Sequence, residues 1–473
     1  MSQNTTQQPL KNGIVREAAV DQSLSPQDSV EFALNVEFDS IGAITRRKGL
    51  TRLGTQQSGQ ALGLGFYRNN AGTTYAALAK VNSDVYAYTG SSWSSVRSGL
   101  GAATKARFTN LVDYAFMVDG NAGSVASSWS GTGSFGSTNI ASLPAGDFIE
   151  NYRNRIWVAD NSDDKVYYSD VVTTSGTITG GTSYIQISPA DGQKVRGLFR
   201  HPRALLVFKE NNIYRIYNPN SSDPDPSIQR GTYSQESIIQ AKDGIYYHHP
   251  TGFYKFAFEG EQEEISLPIS DIVKAIPRSS YESIAGWADD NHVLWSIGDI
   301  TLDGISFTNL AVRRTISTKV WTVYSYPTQI QCSTLYDSGS TLVPLLGDDV
   351  GNVLQYDIGN DDFGTTIHYD VITHWITFTS LQSLQKDLSQ VIALHENAEG
   401  TQLAFQIDTD NSRKTTNAWR PMEQISQALT QTIGLDAKNF YRIRFRIFGN
   451  SSGTPFKFRS LDFLDLEIGT TKK

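Results

Sequence analysis

Residues Phe148–Asp170 read FIENYRNRIWVADNSDDKVYYSD. Three short runs lie end to end: an apolar run to Tyr152, a second over Arg155–Ala159 and a third over Lys165–Ser169. Each carries β-branched and aromatic residues, and the breaks between them hold Asn and Asp, which tolerate the left-handed turns of a tight hairpin. The pattern is that of a propeller blade.

The same pattern recurs on both sides. It is seen in Leu62–Trp93, Ala106–Gly120, Val195–Pro219, Glu236–Phe258, Ser283–Gly298 and Ile330–Gly359. Anchored on Tyr67, Phe108, Tyr152, Phe199, Ile239, Ala285 and Thr334, the copies are spaced by roughly 40 to 50 residues, the length of a four-stranded blade. A single blade cannot bury both faces, so the copies must stack around an axis. The expected architecture is all-β: a propeller of about seven blades, with six as the alternative. A C-terminal antiparallel β-sandwich-like domain follows it and an extended N-terminal segment precedes it.

The chain has 473 residues, with Gly 39, Tyr 22, Phe 22 and Trp 8, a composition that suits many strands and turns. Mean hydropathy is −0.32. No run approaches the roughly 18 apolar residues of a membrane span, and the start MSQNTTQQPLKNG has no apolar core of a signal peptide. The expectation is synthesis in the cytosol without export by that route. The one cysteine, Cys332, excludes an internal disulfide and a thiolate metal cluster. Net charge is −8, which argues against general nucleic-acid binding, because phosphate affinity comes from accumulated Lys and Arg.

Residues 1–28 form a polar arm, disordered or ordered only against a partner. Residues 29–59 follow as a strand segment leading into the propeller. Val36 and Phe38 alternate with polar neighbours, Asp39–Gly42 supplies a turn, and a basic stretch follows at Arg46, Arg47 and Lys48. The pattern NVEFDSIGAITRRKGLTRLG ahead of tandem blades resembles the N-terminal signature of bacteriophage tail nozzle proteins. These are also called tail hub, tail tubular or packaged-DNA stabilisation proteins of short-tailed phages. In that family an Arg-x-Gly step carries the chain into the propeller, and the matching residues here are Arg47, Lys48 and Gly49.

The propeller is expected over residues 60–370. Thr173–Thr182 and Pro219–Pro226 are loop-like. In the stretch Glu259–Ile276, Ile269, Ile272, Val273 and Ile276 recur at helical spacing, so a short helical insertion is expected over 269–276, with Ser270 or Asp271 able to cap it. Residues 371–473 begin a new series of strands at Val371–Thr379, Asp387–His395, Thr401–Asp408, Asn439–Phe448 and Phe456–Ile468, read as a separate sandwich. Within it Ile443, Phe445 and Ile447 lie on one face, and Arg442, Arg444 and Arg446 on the other. Gln424–Thr432 reads as a loop or short helix. The resemblance implies that this domain is a platform meeting the rest of the tail.

No set of residues points to catalysis, a cofactor or a metal. His248 and His249 occupy adjacent strand positions and face opposite ways, which disfavours joint chelation. Asp160-Ser162-Asp164 and Asp408-Asp410-Ser412 resemble calcium loops, but Val171 and Trp419 stand where a bidentate Glu is needed, so hairpin turns are the better reading. No Ser-x-Asp-x-Gly-x-x-Trp box, G-x-S-x-G or phosphate-cradling glycine loop is present. The acidic groups Glu261, Glu263, Glu264, Asp289, Asp290, Asp348 and Asp349 read either as solvated turns or as a repulsive lumen wall that keeps sliding DNA from sticking. Arg46, Arg47, Lys48, Arg442, Arg444 and Arg446 read either as exposed strand faces or as a surface for an acidic partner.

The resemblance implies a structural subunit of the virion tail, assembled in the host cytoplasm and not an enzyme. It implies a homohexameric ring below an adaptor on the portal. The ring would prolong the channel for packaged double-stranded DNA, help retain the genome, and carry tail fibres and a needle or plug. The rival reading is a glycan-binding or glycan-degrading propeller, such as a phage receptor-binding protein, with Trp93, Trp129 or Trp157 stacking on sugars.

Overall fold

A computed structural model describes the chain outside residues 1–6, 9–11, 17–28, 40–41, 122–125, 137–142, 173–177, 190, 220–224, 229, 258–261, 338–341, 379–383, 398–399, 410–417, 427–428, 452–455 and 470–473. Most of the polar arm, the tips of both expected loops and Glu261 therefore lie outside the described residues.

The Phe148–Tyr152, Arg155–Ala159 and Lys165–Ser169 runs are antiparallel strands, joined by Gly180–Gln186 into one four-stranded blade. Arg153 and Asn154 make the first turn with φ of 51° and 57°, the double left-handed conformation of a type I′ hairpin. Period two then divides the second strand between two interfaces. Ile156 and Val158 pack with Phe116 and Val118 of the preceding blade, whereas Trp157 and Ala159 pack with Leu198 and Val207 of the next.

The same division builds a closed ring of seven blades. Their innermost strands are Ala61–Arg68, Arg107–Leu111, Phe148–Tyr152, Val195–His201, Ile239–Ala241, Ala285–Ala288 and Ile330–Asp337. Each anchor residue chosen from the sequence falls on one of them. Ile330–Asp337 packs on Ala61–Arg68, so the last blade meets the first. A separate hydrophobic cluster fills every gap between neighbouring blades, so the core is distributed around the axis. The fourth strand of blade seven is supplied from the N-terminal segment: Leu50–Arg52 pairs antiparallel with Val353–Tyr356. The ring is closed by residues about 300 positions apart in sequence.

The C-terminal strands form a sandwich, but not a separate one. Its first sheet is the outward continuation of blade six. Trp321–Ser325 is followed by Val30–Leu34, Ile367–Thr373, Arg442–Ser451, Gln402–Asp408 and Arg420–Pro421. The second sheet holds Val36–Phe38, Ile44–Arg46, Lys457–Ile468, Lys386–Glu396 and Thr430–Phe440, with Gln7–Gln8 beside Lys457–Ile468. Ile443, Phe445 and Ile447 face Val391, Phe440 and Phe463 between the sheets. The expectation of a separate unit fails because Val30–Leu34, largely buried, is wedged between blade six and the C-terminal strands.

Two local readings also change. Gln424–Thr432, read from the sequence as a loop or short helix, ends instead in the first residues of an eleven-residue strand, Thr430–Phe440. The helical insertion is a 3-10 turn, Leu267–Ile269, running into an α-helix over Ser270–Ala275, and neither Ser270 nor Asp271 caps it, because Ile269 occupies the N-cap.

Candidate functional site

The stretch Asn35–Leu50 joins both halves of the molecule, and Arg47 is its centre. The guanidinium is 2% exposed and faces Asp362 across two hydrogen bonds, Nη1 to Oδ1 at 2.9 Å and Nη2 to Oδ2 at 2.6 Å. Its Nε–H donates to Asn35 Oδ1 at 2.8 Å, and the remaining donors reach the carbonyls of Lys48 and Ser325. All five N–H groups of an arginine are thereby used. Tyr326 lies under the guanidinium at 4.6 Å. Asn35 extends the network: its Nδ2 donates to the His368 carbonyl and its Oδ1 accepts from Ser325 N. One cluster so ties the N-terminal segment, blade six, the segment that leaves blade seven and the C-terminal strands. Gly49 fits where no other residue would, since a Cβ there would lie 1.7 Å from the Asp361 carbonyl oxygen.

These placements correct the reading of the basic residues as a surface. Arg46 and Arg47 are buried, with Arg46 donating to the Asn360 carbonyl. Lys48 alone is exposed, paired with Asp357 at 2.9 Å. The arginines of the Arg442–Ser451 strand alternate as expected but meet acids of their own chain. Arg442 is buried against Asp408, Arg444 reaches Glu31 at 2.5 Å and Gln406 at 2.8 Å, and Arg446 grips both oxygens of Asp370 at 2.9 and 2.7 Å. Trp375 and Trp419 flank Arg444 at 4.7 and 5.2 Å. The carboxylates that complete these pairs come from neighbouring strands, which periodicity within one strand does not reveal.

The acidic candidates do not converge. Asp348 is fully buried and holds its own turn: its oxygens accept from Val350 N, Asn352 N, Asn352 Nδ2 and Thr328 Oγ1. It therefore cannot line a lumen. Asp349 is half-buried and accepts from Gln329 N at 3.1 Å. Asp289 is likewise half-buried, bonded to Asn291 N, His292 N and His292 Nδ1, while Asp290 is exposed. The Asp289-Asp290 turn joins the first two strands of blade six, and Asp348-Asp349 joins the second and third of blade seven. In antiparallel blades these turns lie on opposite faces of the disc. Glu263, exposed, and Glu264, half-buried, sit on the outermost strand of blade five.

A second cluster, unmarked in the sequence, occupies the propeller axis. The 3-10 turn Gln235–Ser237 lies against the inner strands of blades four, six and seven. Gln235 bonds both Leu198 N and Leu198 O, and Ser237 O accepts from Trp295 Nε1. Glu236 reaches across to blade two, pairing with Arg107 at 2.8 Å and Lys105 at 3.0 Å. Burial pushes the Glu236 carboxyl up, but Arg107 and Lys105 outweigh it and hold the group at about 2. The axis is thus crossed by a half-buried ion cluster at this level. Its members lie about 130 residues apart, which no local motif announces.

Trp129 and Trp157 are buried between blades, and the half-buried Trp93 donates Nε1 to the Leu53 carbonyl, so these rings serve packing. His248 and His249 are both buried. Asp160 Oδ1 accepts from Ser162 N and Oγ, a turn contact. Among the described residues no group of His, Cys, Asp and Glu could hold a metal ion, and no helix is long and apolar enough to cross a membrane.

No family model and no curated protein matches the chain. Among solved structures it is similar to the extracellular domain of the one-component system BT4673 from B. thetaiotaomicron, at 11% identity and TM-score 0.47, covering 91% of this chain and 64% of that one. YCF48, solved with a D1 peptide, gives 12% identity and TM-score 0.41 over 65% of this chain and 97% of its own. BBS1N in complex with ARL6DN gives 8% and 0.40 over 65% and 97%. Likenesses at this level carry no argument about activity. The fold that the sheets themselves define is a seven-bladed β-propeller joined to a β-sandwich.

Proposed function

We propose that this chain is the nozzle subunit of a short phage tail. It is a structural protein of the virion that forms a homohexameric ring below the adaptor and portal. The observation that carries the reading is the role of one stretch. The residues that resemble the nozzle signature, Asn35–Gly54, are also those that add Val36–Phe38 and Ile44–Arg46 to the second sandwich sheet, bury Arg47 against Asp362 and close blade seven. A segment that joins two β units through a shared sheet and core suits a subunit that holds packaged DNA and transmits contacts from adaptor to fibres and needle or plug. With Gln235–Ser237 and the Glu236 cluster across the propeller axis, DNA would pass between copies and not through the blades. The test is electron microscopy of the purified chain mixed with portal–adaptor assemblies of the same particle. Sixfold rings on the distal face of the adaptor, absent without it, are expected. A chain that ignores the adaptor and binds or cuts host polysaccharide overturns the reading in favour of a glycan-directed propeller.

A further inference from the structure

Among the described residues three lysines are buried, Lys80, Lys209 and Lys386, none more than 1% exposed. A buried ammonium must find acceptors, and two of the three find neutral oxygens. Lys80 donates to the carbonyls of Gly101 and Thr104 and to Thr104 Oγ1, and Lys386 to the carbonyls of Leu384 and Tyr441. Lys209 is placed differently. It ends the second strand of blade four, Ala204–Lys209, and its Nζ donates to Asp164 Oδ1 at 2.8 Å, Asp191 Oδ1 at 2.9 Å and the Ser188 carbonyl at 3.2 Å. Asp164 stands in the turn before the third strand of blade three, and Asp191 in the connection from blade three to blade four. The two carboxylates are 25% and 18% exposed. Asp191 Oδ1 also accepts from Gln193 N at 2.9 Å, whereas Asp191 Oδ2 is buried with no hydrogen-bond partner among the described residues. A buried oxygen left without a partner calls for an explanation.

We infer that Lys209 and Asp191 condense into an amide, an isopeptide cross-link that the chain makes within itself, with Asp164 carrying the proton. Away from water, transfer of a proton from the ammonium to Asp191 Oδ1 replaces two charges by a neutral amine and a carboxylic acid, which burial favours. The free amine is then a nucleophile already held against its electrophile. Nζ bonds to Cγ of Asp191, Asp164 takes a second proton from Nζ and delivers it to the Oδ1 hydroxyl, and the Cγ–Oδ1 bond breaks. One water leaves. It carries two of the three ammonium protons, Oδ2 remains as the amide carbonyl, and Asp164 returns to its starting state. No oxidant or cofactor is consumed. The bond closes residues 191–209 into a loop and fixes the connection between blades three and four, restricting the unfolded chain as a disulfide does. Lys80 and Lys386, which donate to no carboxylate, stay free amines. This inference stands apart from the nozzle reading.

The test is the mass of the purified full chain, which needs no variant. Wild type is expected one water lighter than its sequence. Trypsin does not cut after an acylated lysine, so residues 166–194 and 204–215 should leave the digest as one branched peptide. Lys209→Arg and Asp191→Ala should each restore the full mass. Asp164→Asn keeps an oxygen for Lys209 but cannot take its proton, and should slow the linkage by about a hundredfold, so that freshly purified chains run mostly at full mass. A wild-type chain at full mass overturns the proposal and leaves an ion cluster only. Loss of one water with residues 166–194 recovered as a linear peptide places the loss in a succinimide at Asp191-Gly192, which overturns it equally. A branch on residues 156–165 overturns the assignment of Asp191 as the electrophile, and complete linkage in Asp164→Asn overturns the role of Asp164.

Discussion

Arg47 and Asp362 show how one buried pair is held. Taking two charges out of water costs several kcal/mol each, and the pair survives because every guanidinium donor and both carboxylate oxygens find partners. Asp362→Ala leaves that arginine buried and uncompensated, with an expected loss of about 3–5 kcal/mol in urea unfolding. Arg47→Met should cost a similar amount, and the double variant Arg47→Met/Asp362→Leu less than the sum of the two, because their effects are coupled. A second residue-scale prediction concerns acid. Burial, and then the neighbouring His249, hold the His248 imidazole down at about 3, from an ordinary value of 6.5. The folded chain refuses a proton that the unfolded chain accepts below about 6.5. The stability His248 contributes is therefore full above that pH and is lost as pH falls towards about 3, at most about 1.4 kcal/mol per pH unit. Unfolding midpoints for wild type and His248→Phe at pH 7.5 and 4.5 should differ in slope, with the variant flatter; parallel profiles would contradict this.

At the scale of elements, closure of blade seven depends on Leu50–Arg52, and that strand depends on Gly49. The Asp361 carbonyl occupies the space a side chain would need. Gly49→Ala is expected to cost about 3 kcal/mol or more, because backbone and not a flexible side chain must move. Hydrogen exchange should then rise first in Leu50–Arg52 and Val353–Tyr356. Uniform exchange across all blades would mean that the strand does not act as the clasp. The blades themselves were visible in the sequence because a hairpin is local. Alternation and turn residues lie within about ten positions, as at Arg153-Asn154. The origin of the last blade's outer strand was not visible, since pairing over 300 residues leaves no local trace.

The whole molecule is one distributed core: clusters between blades, the largest of which runs on through Val30–Leu34 into the sandwich. Removing residues 1–53 deletes strands from both sandwich sheets and from blade seven at once. Such a chain is expected to give separate, broadened unfolding transitions in calorimetry and early proteolytic cleavage between residues 357 and 385. One sharp transition at the wild-type temperature would show that the N-terminal segment only decorates the fold.

Period-two patterning, turn chemistry and the recurrence of one unit were enough to read a β-propeller and the strand carrying Ile443, Phe445 and Ile447. These are short-range properties, set by which side of a strand each residue occupies. Which charges remain on the surface was not readable there. Arg47 faces Asp362, Arg446 faces Asp370 and Glu236 faces Arg107 because folding brings distant strands together, and a charge is buried only if its partner arrives with it.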